Sequence, residues 1–121
     1  MKNYKDLVTG EFWSEEELRK LFEQFRDDDA IYDEFDEFVG YRHDSFEDYI
    51  DEMIVLGRHK QGGLAQIWYA IQKTSEDEWG YGSYDLDEAK EMLREQGYGQ
   101  IAVIDESDNF CLEEIRFEDL D

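Results

Sequence analysis

Apolar residues recur along this chain with two periods, first helical and then strand-like. Leu18, Leu21, Phe22 and Phe25 stand at i, i+3, i+4 and i+7, the spacing of a helix with one buried face. Its start is marked: Ser14 precedes Glu17 by three residues, the pairing of a capping box, and Trp13 with Leu18 brackets the box as a hydrophobic staple. A second helical period passes through Ile31, Tyr32, Phe35, Phe38 and Val39, which predicts an aromatic stripe turned to the core, Tyr32 included, with Gly40 as the stop. The acids at 27 to 29 would form its first turn, as a cap or loop, because aspartate is a weak helix former that is favoured near a helix N-terminus. A third helix is announced by Asp44 with Glu47 and carries Phe46, Tyr49, Ile50, Met53 and Ile54 on one face. The segment from Gly57 to Gly63 reads as a flexible loop.

Beyond that loop the period shortens. From Leu64 to Lys73, Ile67, Tyr69 and Ile71 alternate with Trp68 and Ala70, which predicts a central strand apolar on both faces. An acidic, glycine-bearing connection follows from Thr74 to Tyr84. Asp85 with Glu88 repeats the capping pattern, Leu86, Ala89, Met92 and Leu93 give a helical face, and Gly97 ends it. Ile101 to Ile104 and Phe110 to Phe117 read as two strands joined by a turn at Ser107, Asp108 and Asn109. The expected fold class is α+β, with N-terminal helices followed by a β-α-β-β unit on a small, largely antiparallel sheet. Residues 1–121 form a single domain in this reading, its helical acidic part over 1–56 and its β-α-β-β part over 64–121. The length supports one modest core and not two.

Charge changes the picture most. The net charge is −22, far beyond the 2 to 8 or so that keeps a small domain soluble, and self-repulsion on that scale opposes compaction. It is not evenly spread, since residues 11–52 carry 17 acids against 4 bases while residues 53–73 carry no acid at all. The acid-free centre is also the most continuously apolar part, and we read it as the buried middle. Aromatic residues make up 16% of the chain, which argues against a disordered acidic tail. The N-terminus lacks an apolar leader and no run approaches a membrane span, while a lone cysteine, Cys111, fits a reducing compartment as a small strand residue. The expected location is the cytoplasm.

The densest block of one sign lies between Asp27 and Glu37, where seven acids fall in eleven residues with no base among them. On a helix of about 1.5 Å rise per residue these would place one charge about every 2.4 Å. Duplex DNA carries one about every 1.7 Å and one of its strands one about every 3.4 Å. The block therefore reads as a surface that presents to a basic cleft what nucleic acid presents. Rival uses of the acids fit poorly. An EF-hand loop needs a glycine at its sixth position, where the run from Asp27 has Tyr32 and the run from Asp105 has Phe110. His43 and His59 stand beside polar loop residues without a nucleophile pattern, and both read as surface residues. Gly80, Gly82 and Ser83 lack the lysine of a phosphate-binding loop. We expect no metal, no cofactor, no enzymatic activity, and no direct binding to nucleic acid or membrane.

Three readings remain: a decoy in the nucleic-acid channel of a nuclease, a binder of some other basic protein, or a domain whose acids only solvate it. The stretch from Thr9 to Leu18, followed by Ser45 to Ile50, resembles the opening of many small proteins of bacteriophages and other mobile elements. Tyr69 to Gln72, Trp79 to Asp85, Ile101 to Ile104 and Glu113 to Ile115 resemble a second module of such proteins. This resemblance implies an anti-defence role of the anti-CRISPR or antirestriction type, in which some members act by resembling DNA or by blocking guide-RNA or DNA entry. Such inhibitors share charge and size more than sequence, so no residue role transfers. The partner-facing acids expected from the charge pattern are Asp27, Asp28, Asp29, Asp33, Glu34, Asp36 and Glu37, joined by Asp44, Glu47, Asp48, Asp51 and Glu52. Their expected partner is a basic, nucleic-acid-binding nuclease of a bacterial defence system, an RNA-guided enzyme ahead of a restriction enzyme.

Overall fold

The acid-free segment does become the centre. In a computed structural model, which describes residues 2–120, β5 (Leu64–Gln72) is buried along nearly its whole length. Every neighbour in the sheet is hung on it. On one side it pairs antiparallel with β7 (Gln100–Asp105), Ile67 opposite Asp105 through Gln72 opposite Gln100. On the other it takes β1 (Asn3–Asp6) along its first residues and the two-residue β6 (Gly82–Ser83) at Tyr69 and Ala70. β2 (Phe12–Ser14) and β8 (Phe110–Arg116) form the two ends, giving the order β2-β1-β5-β7-β8.

Helices cover both faces. Alternation on β5 sends Ile67, Tyr69 and Ile71 one way, where with Ile101 and Val103 they meet Ala89 and Leu93 of α3 (Leu86–Gln96). Leu64 points the other way and joins Tyr4, Leu18, Phe46 and Ile50 beneath α1 (Glu15–Gln24) and α2 (Phe46–Arg58). Farther along that second face Ala70, Ala102 and Ile104 pack with Trp68 and Cys111. The small side chains there admit a close neighbour. A Cβ added to Gly82 would lie 2.0 Å from the Tyr69 carbonyl oxygen, so only glycine lets β6 approach β5.

The local signals act as their chemistry requires. Ser14 Oγ accepts from the Glu17 N–H while the Glu17 carboxylate accepts from the Ser14 N–H, closing the capping box of α1. Asp85 caps α3, and Gly97 at φ 83° ends it in the left-handed region. α2 is capped by Ser45 and not by Asp44, and it runs on through Gly57 and Arg58, so the loop is shorter than expected.

The N-terminal part departs from expectation in two ways. The residues before α1, to which the apolar pattern assigns no element, form two strands of the main sheet. The acidic block is not a helix. It is a 3-10 turn at Arg26–Asp29 followed by an antiparallel hairpin of β3 (Ala30–Tyr32) and β4 (Phe38–Tyr41). Spacings of i, i+1, i+4, i+7 and i+8 satisfy a helix, but they equally fit two short strands around a turn. Three residue-level facts decide between them. Asp33 Oδ1 accepts from the N–H groups of Phe35 and Glu37, holding a turn that a helix would not contain. Asp36 adopts φ 59°, a conformation aspartate tolerates better than most side chains, and Gly40, expected as a helix stop, sits inside β4 at φ 147°. Ile31, Tyr32, Phe38, Val39 and Tyr41 are β-branched or aromatic and favour strands.

The predicted core stripe is consequently outside. Phe35 is 76% exposed, Tyr32 56% and Phe38 54%, whereas Leu93 is 0% exposed. Thermal or urea unfolding separates these environments: Leu93→Ala should cost about 2–5 kcal/mol through lost burial and a cavity, and Phe35→Ala should stay within about 0.5 kcal/mol.

Candidate protein-binding surface

Residues 30–41 form an arm whose strands pack chiefly on each other. A two-stranded ribbon is at best marginal alone in water, so its root must be held. Asp29 does this. Its carbonyl oxygen accepts from the Arg42 N–H at 2.7 Å, and its Oδ2 accepts from the His43 N–H at 2.7 Å and from Arg26 Nη1 at 3.0 Å. The opposite oxygen, Oδ1, lies 2.7 Å from His43 Nδ1, and the other ring nitrogen of His43 meets the Glu52 carboxylate on α2. Arg26 also donates to the Asp44 carbonyl oxygen, and its guanidinium lies over Tyr41 at 3.7 Å and over Phe22 at 4.6 Å. One cluster thus ties the 3-10 turn, the end of β4, α1 and α2 together.

His43 is therefore a buried structural group and not the expected surface residue, at 8% exposure with its ring edge-on to Tyr49. Burial opposes its charge, but the hydrogen bonds and charges of Glu52 and Asp29 outweigh it and raise the imidazole above its ordinary 6.5. Burial likewise works against Asp29, and the His43 N–H, the imidazole and Arg26 together hold its carboxyl below the usual range. With both ring nitrogens held by carboxylates, His43 has none left for activating a nucleophile. His59, by contrast, is the exposed C-cap of α2.

The twelve acids expected to face a partner divide once they are placed. Asp27 and Asp28 are exposed at the arm's root; Glu34, Asp36 and Glu37 are exposed at its tip, with the half-buried Asp33 forming the turn. Asp44, Glu47, Asp48, Asp51 and Glu52 are exposed on or just before α2. Asp29 is taken up by Arg26 and His43, Glu52 meets His43, and Glu47 pairs with Arg19 at 3.0 Å. Among the described residues the remaining nine form no ion pair. The even charge spacing derived for a helix does not survive, because β3 separates the root acids from those at the tip.

What the charge pattern does not show is the apolar part of this surface. Tyr32, Phe38 and Tyr41 form a ladder of edge-on rings, with centroids 6.1 Å and 5.1 Å apart, and Ile31 and Val39 are exposed beside them. Asp33 and Asp36 were the available signal for a turn, since they flank Glu34 and Phe35 between the apolar pairs Ile31–Tyr32 and Phe38–Val39. Elsewhere, an open groove of about 470 Å³ lies between β2, β5, β7 and β8, lined by Phe12, Trp13, Ile67, Tyr69, Val103 and Leu112. No group of three or more His, Cys, Asp or Glu side chains among the described residues is arranged to hold a metal ion. Among them, too, no helix is long and apolar enough to cross a membrane.

Comparison of the chain with protein-family models, with curated proteins and with solved structures finds no match.

The root cluster has a defined pH response. Because the folded state raises the His43 imidazole above its unfolded value, its contribution is complete below about pH 6.5 and is lost as pH rises through the higher folded value. Unfolding measured from pH 6 to pH 9 should therefore show wild type losing stability relative to His43→Gln as pH increases. At pH 6 that substitution should cost about 1–3 kcal/mol, the range for a buried hydrogen-bonding group left without its partner. Imidazole nitrogen shifts followed by NMR over the same range should show His43 losing its proton at a higher pH than a free imidazole.

Proposed function

We propose that this chain is a non-enzymatic inhibitor that occupies the basic nucleic-acid channel of a bacterial defence nuclease, an RNA-guided enzyme ahead of a restriction enzyme. The observation that carries this reading is the arm: an element with almost no packing partner, tipped by exposed carboxylates and flanked by the acidic outer face of α2. Unpaired carboxylates in such number favour a partner rich in lysine and arginine. A domain that merely solvates itself gains nothing from a projecting ribbon with exposed rings. The nuclease class rests on the likeness to phage and mobile-element proteins, and the basic character of the partner rests on the charge.

The acids attract in two ways. At long range the −22 field speeds encounter with a cationic surface and is screened by salt. At contact, carboxylates that become desolvated against a cation are worth more, and truncating one member of such a pair costs about 2–5 kcal/mol.

The test replaces charge without disturbing the turn. Asn at Asp33 retains the oxygen that accepts from Phe35 and Glu37, and Asn at Asp36 tolerates the left-handed backbone. The variant Asp33→Asn, Glu34→Gln, Asp36→Asn, Glu37→Gln should inhibit DNA binding by a purified RNA-guided nuclease at least tenfold less well, about 1.4 kcal/mol. Its salt dependence should also be shallower. A control with Glu113, Glu114, Glu118 and Asp119 neutralised should lose less. Equal behaviour of two folded variants removes the arm as the recognition surface. Wild type that inhibits neither an RNA-guided nor a restriction nuclease, yet is retained by other basic proteins, removes the nuclease from the reading.

A further inference from the structure

We propose that the arm fits a groove built for single-stranded nucleic acid rather than for duplex: a protein cleft with lysine and arginine along its walls and aromatic or aliphatic side chains on its floor. The inference rests on the basic-partner reading above and concerns what else that partner must offer. A duplex shows a channel its phosphates and hides its base faces in the stack, so a duplex decoy needs carboxylates and no exposed rings. Proteins that hold single strands combine a cationic groove with aromatic side chains on which unstacked bases lie. The arm carries both counterparts within a dozen residues. Glu34, Asp36 and Glu37 are exposed at its tip, Phe35 projects between them, and Tyr32, Phe38 and Tyr41 follow as the ring ladder.

Three further observations narrow the partner. Width is the first: a two-stranded ribbon is thin enough to lie inside the major groove of a duplex, so it is much narrower than the duplex itself and suits a cleft gauged for one strand. The second is the Arg26 guanidinium, already stacked on Tyr41 at 3.7 Å. The ladder's inner end thus shows how an arginine from a partner would sit on the rings farther out. The third is net charge, which at −22 per chain sets a second copy against the first and argues for a cationic occupant over self-association.

Two synthetic peptides of equal charge, one alternating lysine with tryptophan and the other alternating lysine with serine, present the two chemistries separately. Titrated into the full-length chain at low salt, the lysine–tryptophan peptide should bind at least tenfold more tightly. The variant Tyr32→Ser, Phe35→Ser, Phe38→Ser keeps every acid and should bind both peptides alike. Phe35→Ser alone, at a turn position outside the strand pairing, should lose at least threefold for the tryptophan peptide even if the triple variant disorders the arm. The charge variant of Asp33, Glu34, Asp36 and Glu37 should weaken both peptides while preserving their ratio. Equal affinity of wild type for the two peptides, or a preference that survives both ring variants, overturns the single-strand inference and leaves the basic partner standing. Failure of both peptides to bind wild type at low salt overturns the basic-partner reading itself.

Discussion

A chain of net charge −22 can fold only if some segment builds a core without bringing carboxylates into it, and residues 53–73 are that segment. They hold no acid, and most of their second half is β5, the strand to which β1, β6 and β7 all pair. The acid that does enter this interior shows the terms on which it can. Asp105 at the end of β7 is buried, and it is held by Lys5 from β1 at 2.8 Å and by the Ser107 N–H at 2.9 Å. Burial opposes its charge, and those partners together bring its carboxyl below the usual range. A buried carboxylate is tolerable when a cation and hydrogen bonds surround it, and a chain with 12 lysines and arginines against 34 acids can do this only rarely.

The same scarcity explains the arm. Its strands, Ala30–Tyr32 and Phe38–Tyr41, carry no acid, but the turn that joins them holds Asp33, Glu34, Asp36 and Glu37 and the 3-10 turn before them holds Asp27 and Asp28, so the ribbon could not be buried whole without carrying carboxylates inward. The ribbon therefore stands off the core. What fixes it is the cluster at its root, with Arg26 and His43 gathered around Asp29 and Glu52. That arrangement uses four titratable groups to anchor a dozen residues, and it explains why a histidine beside polar neighbours in sequence is buried in the fold.

Much of the architecture was legible because it depends on local chemistry. The capping box at Ser14, the cap at Asp85, the glycine at 97 and the two-sided apolar run of β5 each specify a backbone state within a few residues. β1 and β2 were not legible: Asn3 to Asp6 offers only Tyr4 as a buried apolar side chain, and its place is fixed by pairing with Gln66, far along the chain. The arm was misread for a different reason. Helical periodicity and a five-residue connection between short strands generate the same apolar spacing, and the deciding facts were the hydrogen bonds of Asp33 and the left-handed Asp36. The acids of the surface were visible in the sequence; the rings beside them were assigned to the core, because exposed aromatics are not the default expectation for a small domain.

Moving the acidic block from a helix to a ribbon changes what kind of recognition it can support. A helix with evenly spaced charges would imitate a polyanion along its length, and its affinity would come from the charge array alone. The ribbon instead separates two tasks. Exposed charge over the whole surface acts beyond contact, but at physiological ionic strength it is largely screened beyond about 8 Å, and it distinguishes one cationic protein from another only weakly. The ring ladder acts only at contact, where shape and stacking discriminate. On the proposed reading, a partner selected by both would be cationic at its rim and receptive to rings within, and the exposed side chains of Tyr32, Phe35 and Phe38 would restrict the choice of partner more than the surrounding carboxylates.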